Sequence, residues 1–477
     1  MSECVANRDH VEDQLQDVQQ QLQQLDAFTL QVSTAIDQLV DGVLQVQQRL
    51  DEREDVKGLQ QKLASLELQL QAERMRHDLS LVSRHHQKTR SALFVSSRVF
   101  SDNVKYTWLA MRELAQAQGI RLWYLPHDAE HERHARAIGA DCLPSSAADW
   151  TEDHITATLE AAVVVTSDHL LHPHPHLPAL VAGARHVQLW HGISIKEVGH
   201  RNMPVLKHLS ARYARVLSTC GWFATFVGPA QGYEGEWRRW FGFERFAPLG
   251  YARNDVMHRT PSADDLVNVD RTAYNAMKAH RQTGRKVWFY APTFRDADQG
   301  VWLSRVGLDE VASAARQQGA MLIVNLHPVE QVFQAQLSVI MPNVQFVAPG
   351  TDIYPLLGET DALITDYSSL MFDYLHLDRP IVIFRPDHED YVRRSRKLFD
   401  DKLPELPGAL CTDAKALVRE LGRMGPRGGK PVPDPYTQVR HELAHRLFDQ
   451  LDGEAGARIA ACIAAEVDRV VPPSAQA

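Results

Sequence analysis

Ala362-Leu-Ile-Thr-Asp-Tyr-Ser-Ser-Leu-Met-Phe-Asp-Tyr-Leu375 decides how the rest of the chain is read. Ala362 to Ile364 is a short apolar run, suited to a strand buried in a parallel sheet. Thr365 to Ser369 turn the chain. Leu370, Met371, Tyr374 and Leu375 then recur at helical spacing. The pattern predicts strand, turn and helix, with Ser368 and Ser369 at the helix N-terminus and at the carboxyl end of a strand. Serine is favoured there, and the free N–H groups and dipole attract anions. Two hydroxyls beside those groups suit a diphosphate. A plain serine cap without a ligand would use the same residues.

The same strand–helix alternation extends on both sides. Upstream, strands are predicted at Ala92–Ser97, Ile120–Leu125, Ala162–Thr166 and His186–Trp190, with a helix through Trp108, Leu109, Met111 and Leu114. Residues 201–245 read as helical and aromatic, and 261–284 as a polar crossing. A second alternating half follows, with strands at Lys286–Tyr290, Ala320–Asn325, Val344–Val347, Ala362–Ile364 and Pro380–Phe384. Alternation of this kind predicts an α/β protein with two Rossmann-like doubly wound parallel sheets, whose ligands sit at the carboxyl ends of strands.

The first 88 residues differ in kind. Val11, Leu15, Val18, Leu22 and Leu25 are spaced four and three apart. Val32, Ile36, Leu39, Val43, Val46 and Leu50 continue the rhythm, and Leu59, Leu63, Leu66 and Leu70 resume it after Asp51-Glu-Arg-Glu-Asp55. Such a stripe predicts a helical coiled coil, either a hairpin within one chain or a homo-oligomer. The domain reading is therefore 1–88 coiled coil, 89–275 first Rossmann-like domain, 276–435 second Rossmann-like domain, and 436–477 C-terminal helices crossing back.

A formal charge of −9 argues against a general nucleic-acid partner. Five dispersed cysteines without a CxxC pair suit a reducing compartment better than a disulfide framework or a zinc module. Apolar runs fall short of about 18–20 residues, so the expectation is a cytoplasmic protein without a spanning helix, held peripherally at a membrane by a surface or partner. Neither GxxxxGK[ST] nor GxGxxG occurs, which disfavours an ATPase or nicotinamide enzyme.

Six segments in order carry a family resemblance: Gln188-Leu-Trp-His-Gly192, Gly250-Tyr-Ala-Arg-Asn-Asp255, Tyr290-Ala-Pro-Thr-Phe-Arg-Asp296, Leu326-His-Pro328, Gly350-Thr-Asp-Ile-Tyr-Pro-Leu-Leu357 with the serine stretch, and Asp378-Arg-Pro-Ile-Val-Ile-Phe384. Together they resemble the CDP-glycerol glycerophosphotransferases, which build teichoic-acid-type polyol phosphate chains. The resemblance covers roughly residues 90–470 and implies a GT-B-like arrangement of the two domains. Its implied reaction moves glycerol 3-phosphate from CDP-glycerol to a hydroxyl of a lipid-linked or polysaccharide acceptor, releasing CMP. The first domain would take the acceptor and the second the donor. Ile193-Ser-Ile195 stands where the family has Thr-Pro-Leu, and Ala252 where it has Pro; both bear on donor or acceptor identity.

Phosphoryl transfer needs a base for the attacking hydroxyl and donors for the diphosphate charge. The resemblance casts His191 as base, against a hydrogen-bonded structural histidine, and His327 as a donor-side catalytic group. Arg295 offers a bidentate phosphate clamp, against a surface ion pair with Asp296. Ser368, Ser369, Asp366 and Thr293 complete the donor set, with Asp366 alternatively capping its neighbours. Gly192, Arg253, Asp255 and Lys196 are cleft candidates; Arg253 and Asp255 would equally fix a turn. No cofactor is firmly implied, Mg2+ being the one ion left open. His172-Pro-His-Pro-His176 reads as an extended loop rather than a metal site, Asp296-Ala-Asp298 as solvated charge, and His127, His131 and His134 as a solvated helix face. The other readings are a GT-B enzyme transferring a nucleotide-activated sugar to capsule or lipopolysaccharide, and a coiled-coil scaffold with a degenerate transferase domain.

Overall fold

The computed structural model describes residues 32, 34–46, 56–168, 172–193, 223–293, 308–326, 334, 337–338, 341, 344–389, 391, 406–424 and 433–473. Residues 1–78 and 79–477 form separate compact units. In the first, residues 34–46 are helical, and helix α1 (Val56–His85) begins there. The stripe positions Val11, Leu15, Val18, Leu22, Leu25 and Leu50 lie outside the described residues. Of the described stripe positions, Val32, Ile36, Val43 and Leu63 are exposed in the single chain, Ile36 at 53%, while Leu39, Val46, Leu66 and Leu70 are half-buried.

The second unit holds two all-parallel six-stranded sheets. One contains β1 (Thr89–Val95), β2 (Arg121–Leu125), β3 (Ala161–Thr166), β4 (Arg185–Gln188), β5 (Phe223–Gly228) and β6 (Phe243–Pro248), in the order β2-β1-β3-β4-β5-β6. The other contains β7 (Val287–Ala291), β8 (Met321–Val324), β9 (Gln345–Phe346), β10 (Ala362–Thr365), β11 (Ile381–Phe384) and β12 (Ala409–Cys411), ordered β12-β11-β10-β7-β8-β9. The apolar runs behave as buried parallel strands should. Every residue of Ala161-Ala-Val-Val-Val-Thr166 is buried, as is every residue of β7, β10 and β11. Strand order reverses between β1 and β3, and between β7 and β10. A crevice opens at such reversals beyond the strand ends.

Described helices of nine or more residues after α1 are α2 (Asn103–Ala117), α3 (Ala129–Ala137), α4 (Glu152–Glu160), α5 (Arg271–Gln282), α6 (Leu308–Gln317), α7 (Ala414–Arg423), α8 (Thr437–Leu447) and α9 (Ala455–Val470). The last returns to the first sheet, packing on α2, β1 and β3. Its Glu466 is buried and accepts from Arg185 Nε at 2.5 Å, Thr225 Oγ1 at 2.9 Å and Arg245 Nη2 at 3.0 Å. Burial alone would raise this carboxyl; the arginines and the hydroxyl hold it below its ordinary range.

One apolar cluster runs from the first sheet into the second, joining Phe94, Val104 and Val165 with Phe289, Leu363 and Met371. A buried ion pair reinforces the junction. Lys105 Nζ and Asp352 Oδ2 lie 2.7 Å apart with neither side chain exposed, and Tyr106 Oη donates to the same oxygen at 2.7 Å. Lys105 also donates to the carbonyls of Asp265 and Val267. Its three protons are thus all used, which makes burial of the ammonium tolerable.

Three segments differ from the sequence reading. The aromatic stretch expected to be helical contains β5 and β6, because Phe223, Phe226, Phe243 and Phe246 pack across neighbouring strands into an aromatic core with Trp237 and Trp240. The crossing at 261–284 contains α5, whose Ala273, Tyr274 and Met277 are buried and whose Ala273 N–H is capped by Asp270 at 2.9 Å. The helix expected after Ser369 is a single turn, Leu370–Asp373, continued by a 3-10 turn, Tyr374–Leu377.

Candidate active site

Beyond β4 the chain makes a strained turn. Trp190 has φ 53° and Gly192 φ 123°, and a non-glycine residue at positive φ needs its surroundings to hold it. The Trp190 N–H donates to Gln188 Oε1 at 2.9 Å, and its carbonyl accepts from Asn103 Nδ2 at 2.8 Å. Between these residues His191 is exposed, its ring 4.1 Å from that of Trp190. His191 Nδ1 lies 3.1 Å from the carbonyl oxygen of Ser167, the residue after β3. A carbonyl only accepts, so Nδ1 carries the proton and the neutral ring keeps its lone pair on Nε2. The turn thus ties His191 to the loop after β3, at the strand reversal of the first sheet.

The reversal of the second sheet is laced by Asp366. Its carboxylate accepts from Thr293 N–H at 2.9 and 3.1 Å and from Tyr367 N–H at 2.5 Å, joining the loops after β7 and β10. That geometry gives Asp366 an orienting place. Arg385 Nε donates to the Asp366 carbonyl at 3.1 Å while its guanidinium covers the Tyr367 ring. Ser368 and Ser369 are half-buried at this turn, and Ser368 Oγ accepts from Leu370 N–H at 3.3 Å. The one-turn helix beyond them has little macrodipole, so an anion would be held mainly by hydroxyls and local N–H groups. The two turns approach each other: a Cβ on Gly192 would stand 3.7 Å from Ser369 Oγ.

Arg253 joins them from behind. Buried at the end of the first half, it donates to Asp102, Asp373 and the His191 carbonyl. Asp255 is placed elsewhere. Its oxygens accept from Ala455 and Gly456 N–H at 3.1 and 2.6 Å, capping α9. Burial pushes its carboxyl up to about 6, against the pull of those two bonds. His327, Arg295 and Lys196 lie outside the described residues, as does Asp296-Ala-Asp298.

Sequence reasoning missed Asp102, Asn103 and Asp373. The one available signal was a carboxylate at position 373 on an otherwise apolar helical face. The histidine groups lie apart from the site. His172 and His174 are buried in their loop, each Nδ1 accepting the N–H two residues on, and His172 Nε2 bonding the Pro126 carbonyl. The expected solvated face at 127–134 is instead packed: Phe100 lies against His131 and His134, and His131 is buried. Among the described residues no group of three or more His, Cys, Asp or Glu could hold a metal ion, and no helix is long and apolar enough to cross a membrane.

The family model described as CDP-Glycerol:Poly(glycerophosphate) glycerophosphotransferase matches residues 79–465, both sheets and the α9 return. The chain belongs to this family. It is 29% identical over 248 residues to the teichoic acid poly(glycerol phosphate) polymerase of Staphylococcus epidermidis, covering 50% of this chain and 33% of that one. It is 24% identical over 297 residues to the teichoic acid glycerol-phosphate transferase of Staphylococcus aureus, covering 57% and 69%. The teichoic acid glycerol-phosphate primase of Bacillus subtilis matches at 28% over 246 residues, covering 49% and 58%. The chain thus spans one third to about two thirds of these relatives. The solved structure of the wall teichoic acid polymerase TagF superposes with a TM-score of 0.61 at 20% identity, over 88% of this chain and all of that one. The likeness gives the two sheets a GT-B-like fold in common with it.

Proposed function

We propose that this family member transfers a polyol phosphate, glycerol 3-phosphate from CDP-glycerol, to a hydroxyl of a polyol-phosphate or glycan acceptor. The observation that carries the reading is the His191 Nδ1 contact with the Ser167 carbonyl, which leaves Nε2 as proton acceptor on an exposed ring. Nε2 takes the hydroxyl proton as the acceptor oxygen attacks the glycerol-linked phosphorus. The new O–P bond forms, the diphosphate bridge breaks, and its oxygen leaves with CMP. The turn at Thr293, Asp366, Ser368 and Ser369 takes the donor diphosphate, with Arg295 and His327 completing it, so the second half binds donor and the first half acceptor. Residues 1–78 self-associate through their apolar stripe and present the catalytic unit to a membrane-bound acceptor.

The reaction is tested by incubating pure protein with CDP-glycerol, CDP-ribitol and UDP- and GDP-sugars, then identifying the nucleotide released. CMP from a CDP-polyol is expected. Release of UDP or GDP from a sugar donor, with CDP-polyols untouched, would replace the reading with glycosyl transfer.

A further inference from the structure

We infer that Arg253 is the positioning residue for His191, a strut that fixes the turn bearing the base against the donor-side turn of the second half. The inference rests on the reading of His191 as base. Arg253 Nη1 donates to Asp102 Oδ1 at 2.9 Å; Nη2 donates to Asp373 Oδ2 and to the His191 carbonyl, both at 2.8 Å. Arg253 is 6% exposed and Asp373 1%. Asp102 begins α2 in the first half, bonding Asn103 N–H at 2.7 Å. Asp373 ends the turn of helix that follows Ser368 and Ser369, and it is itself held by Tyr354 Oη at 2.9 Å and Asn254 Nδ2 at 3.2 Å. One rigid fork therefore touches the base turn, the residue that starts α2 and the helical turn that follows the donor-side serines.

Adjoining contacts follow the same plan. Asn103 accepts from the Arg253 N–H and donates to the Trp190 carbonyl. Side-chain donors thus hold the two carbonyls at Trp190 and His191, where the backbone is strained. Gly192 leaves room for the guanidinium: a Cβ there would stand 2.6 Å from Arg253 Nη2. Lysine cannot replace the fork, because a single ammonium lacks two planar donors aimed at separate acceptors. A residue that only stabilised the fold would not need to meet the carbonyl of the base.

The test compares Arg253→Lys, Gly192→Ala and the double variant with the wild type. Turnover uses CDP-glycerol as donor and a short synthetic poly(glycerol phosphate) as acceptor probe; CMP affinity is measured by calorimetry. A displaced base costs turnover on the scale of about 100-fold. We expect that fall in kcat for each single variant, with CMP affinity kept. The double variant should be no slower than the slower single one, since both break the same contact. The second readout is the ring 15N signal of His191, assigned by its loss in His191→Asn. It should show one Nδ1–H tautomer in the wild type and an averaged ring in Arg253→Lys. Unchanged kcat with an unchanged ring signal would overturn the strut, as would losses that multiply in the double variant. If the wild type releases no CMP while the ring signal still depends on Arg253, the reaction is wrong and the strut stands. Should Arg253→Lys not fold, Asp373→Asn and Gly192→Ala carry the same two readouts.

Discussion

At His191 one hydrogen bond selects the tautomer of the neutral ring. With Nδ1 committed to the Ser167 carbonyl, only Nε2 can take a proton, and the exposed ring lets it reach a hydroxyl. His191→Ala is therefore expected to keep affinity for CDP-glycerol and to lose turnover by about a hundredfold or more. Paired calorimetry and CMP release check this; a variant defective only in donor binding would remove His191 from the base role. On the donor side, replacing Ser368 and Ser369 together with alanine should weaken CDP-glycerol binding by roughly 1–3 kcal/mol, one or two charged hydrogen bonds. Unchanged affinity in the folded double variant would empty the cradle. The place of His191 just beyond a strand was legible because a buried strand followed by His-Gly is a local pattern. The ring of groups behind it was not, since Arg253 lies 151 residues from Asp102 and 120 from Asp373. Alone, the first reads as a helix cap and the second as a polar residue on a helix.

Among the elements, short, almost wholly apolar runs rich in Val and Ile were the readable ones: Ala161–Thr166, Met321–Val324 and Ile381–Phe384. Elements built from aromatics and short polar pieces were not, because β5, β6 and α5 acquire their state from packing partners. The return of α9 depends on Asp255, 200 residues before the N–H groups it caps. Helix α1 shows how the self-association proposed for residues 1–78 must be tested. Its Ser83 is fully buried, Oγ donating to the Leu180 carbonyl at 2.6 Å and accepting from Gly183 N–H at 3.0 Å. A Cβ on Gly183 would stand 2.1 Å from the Ser83 carbonyl. Truncation must therefore stop at residue 78, before this contact. The shortened chain should stay folded, bind CDP-glycerol and have fewer subunits by light scattering. An unchanged subunit number would remove self-association from residues 1–78.

Across the whole molecule, acid should act through histidines that the fold keeps neutral. Burial lowers His172 and His174 to about 4, and His186 and His376 to about 3; the Pro126 carbonyl opposes the shift at His172, while His258 adds to it at His376. In the unfolded chain each returns to about 6.5. Between those values the unfolded state binds protons that the folded state refuses, so stability falls as pH drops from about 6.5 toward 4. At pH 5 each such histidine costs at most roughly 2 kcal/mol. The carboxylates of Glu466 and Asp265, held low by their partners, act in a lower window, as pH falls below about 4 toward their folded values. Urea denaturation at pH 7 and pH 5 should thus show a clear net loss, although Asp255, whose carboxyl burial raises to about 6, takes up its proton in the folded chain over the same interval and offsets part of it. His186→Gln keeps a polar partner for Thr166 Oγ1, which meets His186 Nε2 at 2.6 Å, but binds no proton. Whatever it costs at pH 7, it should shrink the difference between the two pH values by up to roughly 2 kcal/mol. Equal stability of the wild type at both pH values would show that these rings take up protons in the folded chain.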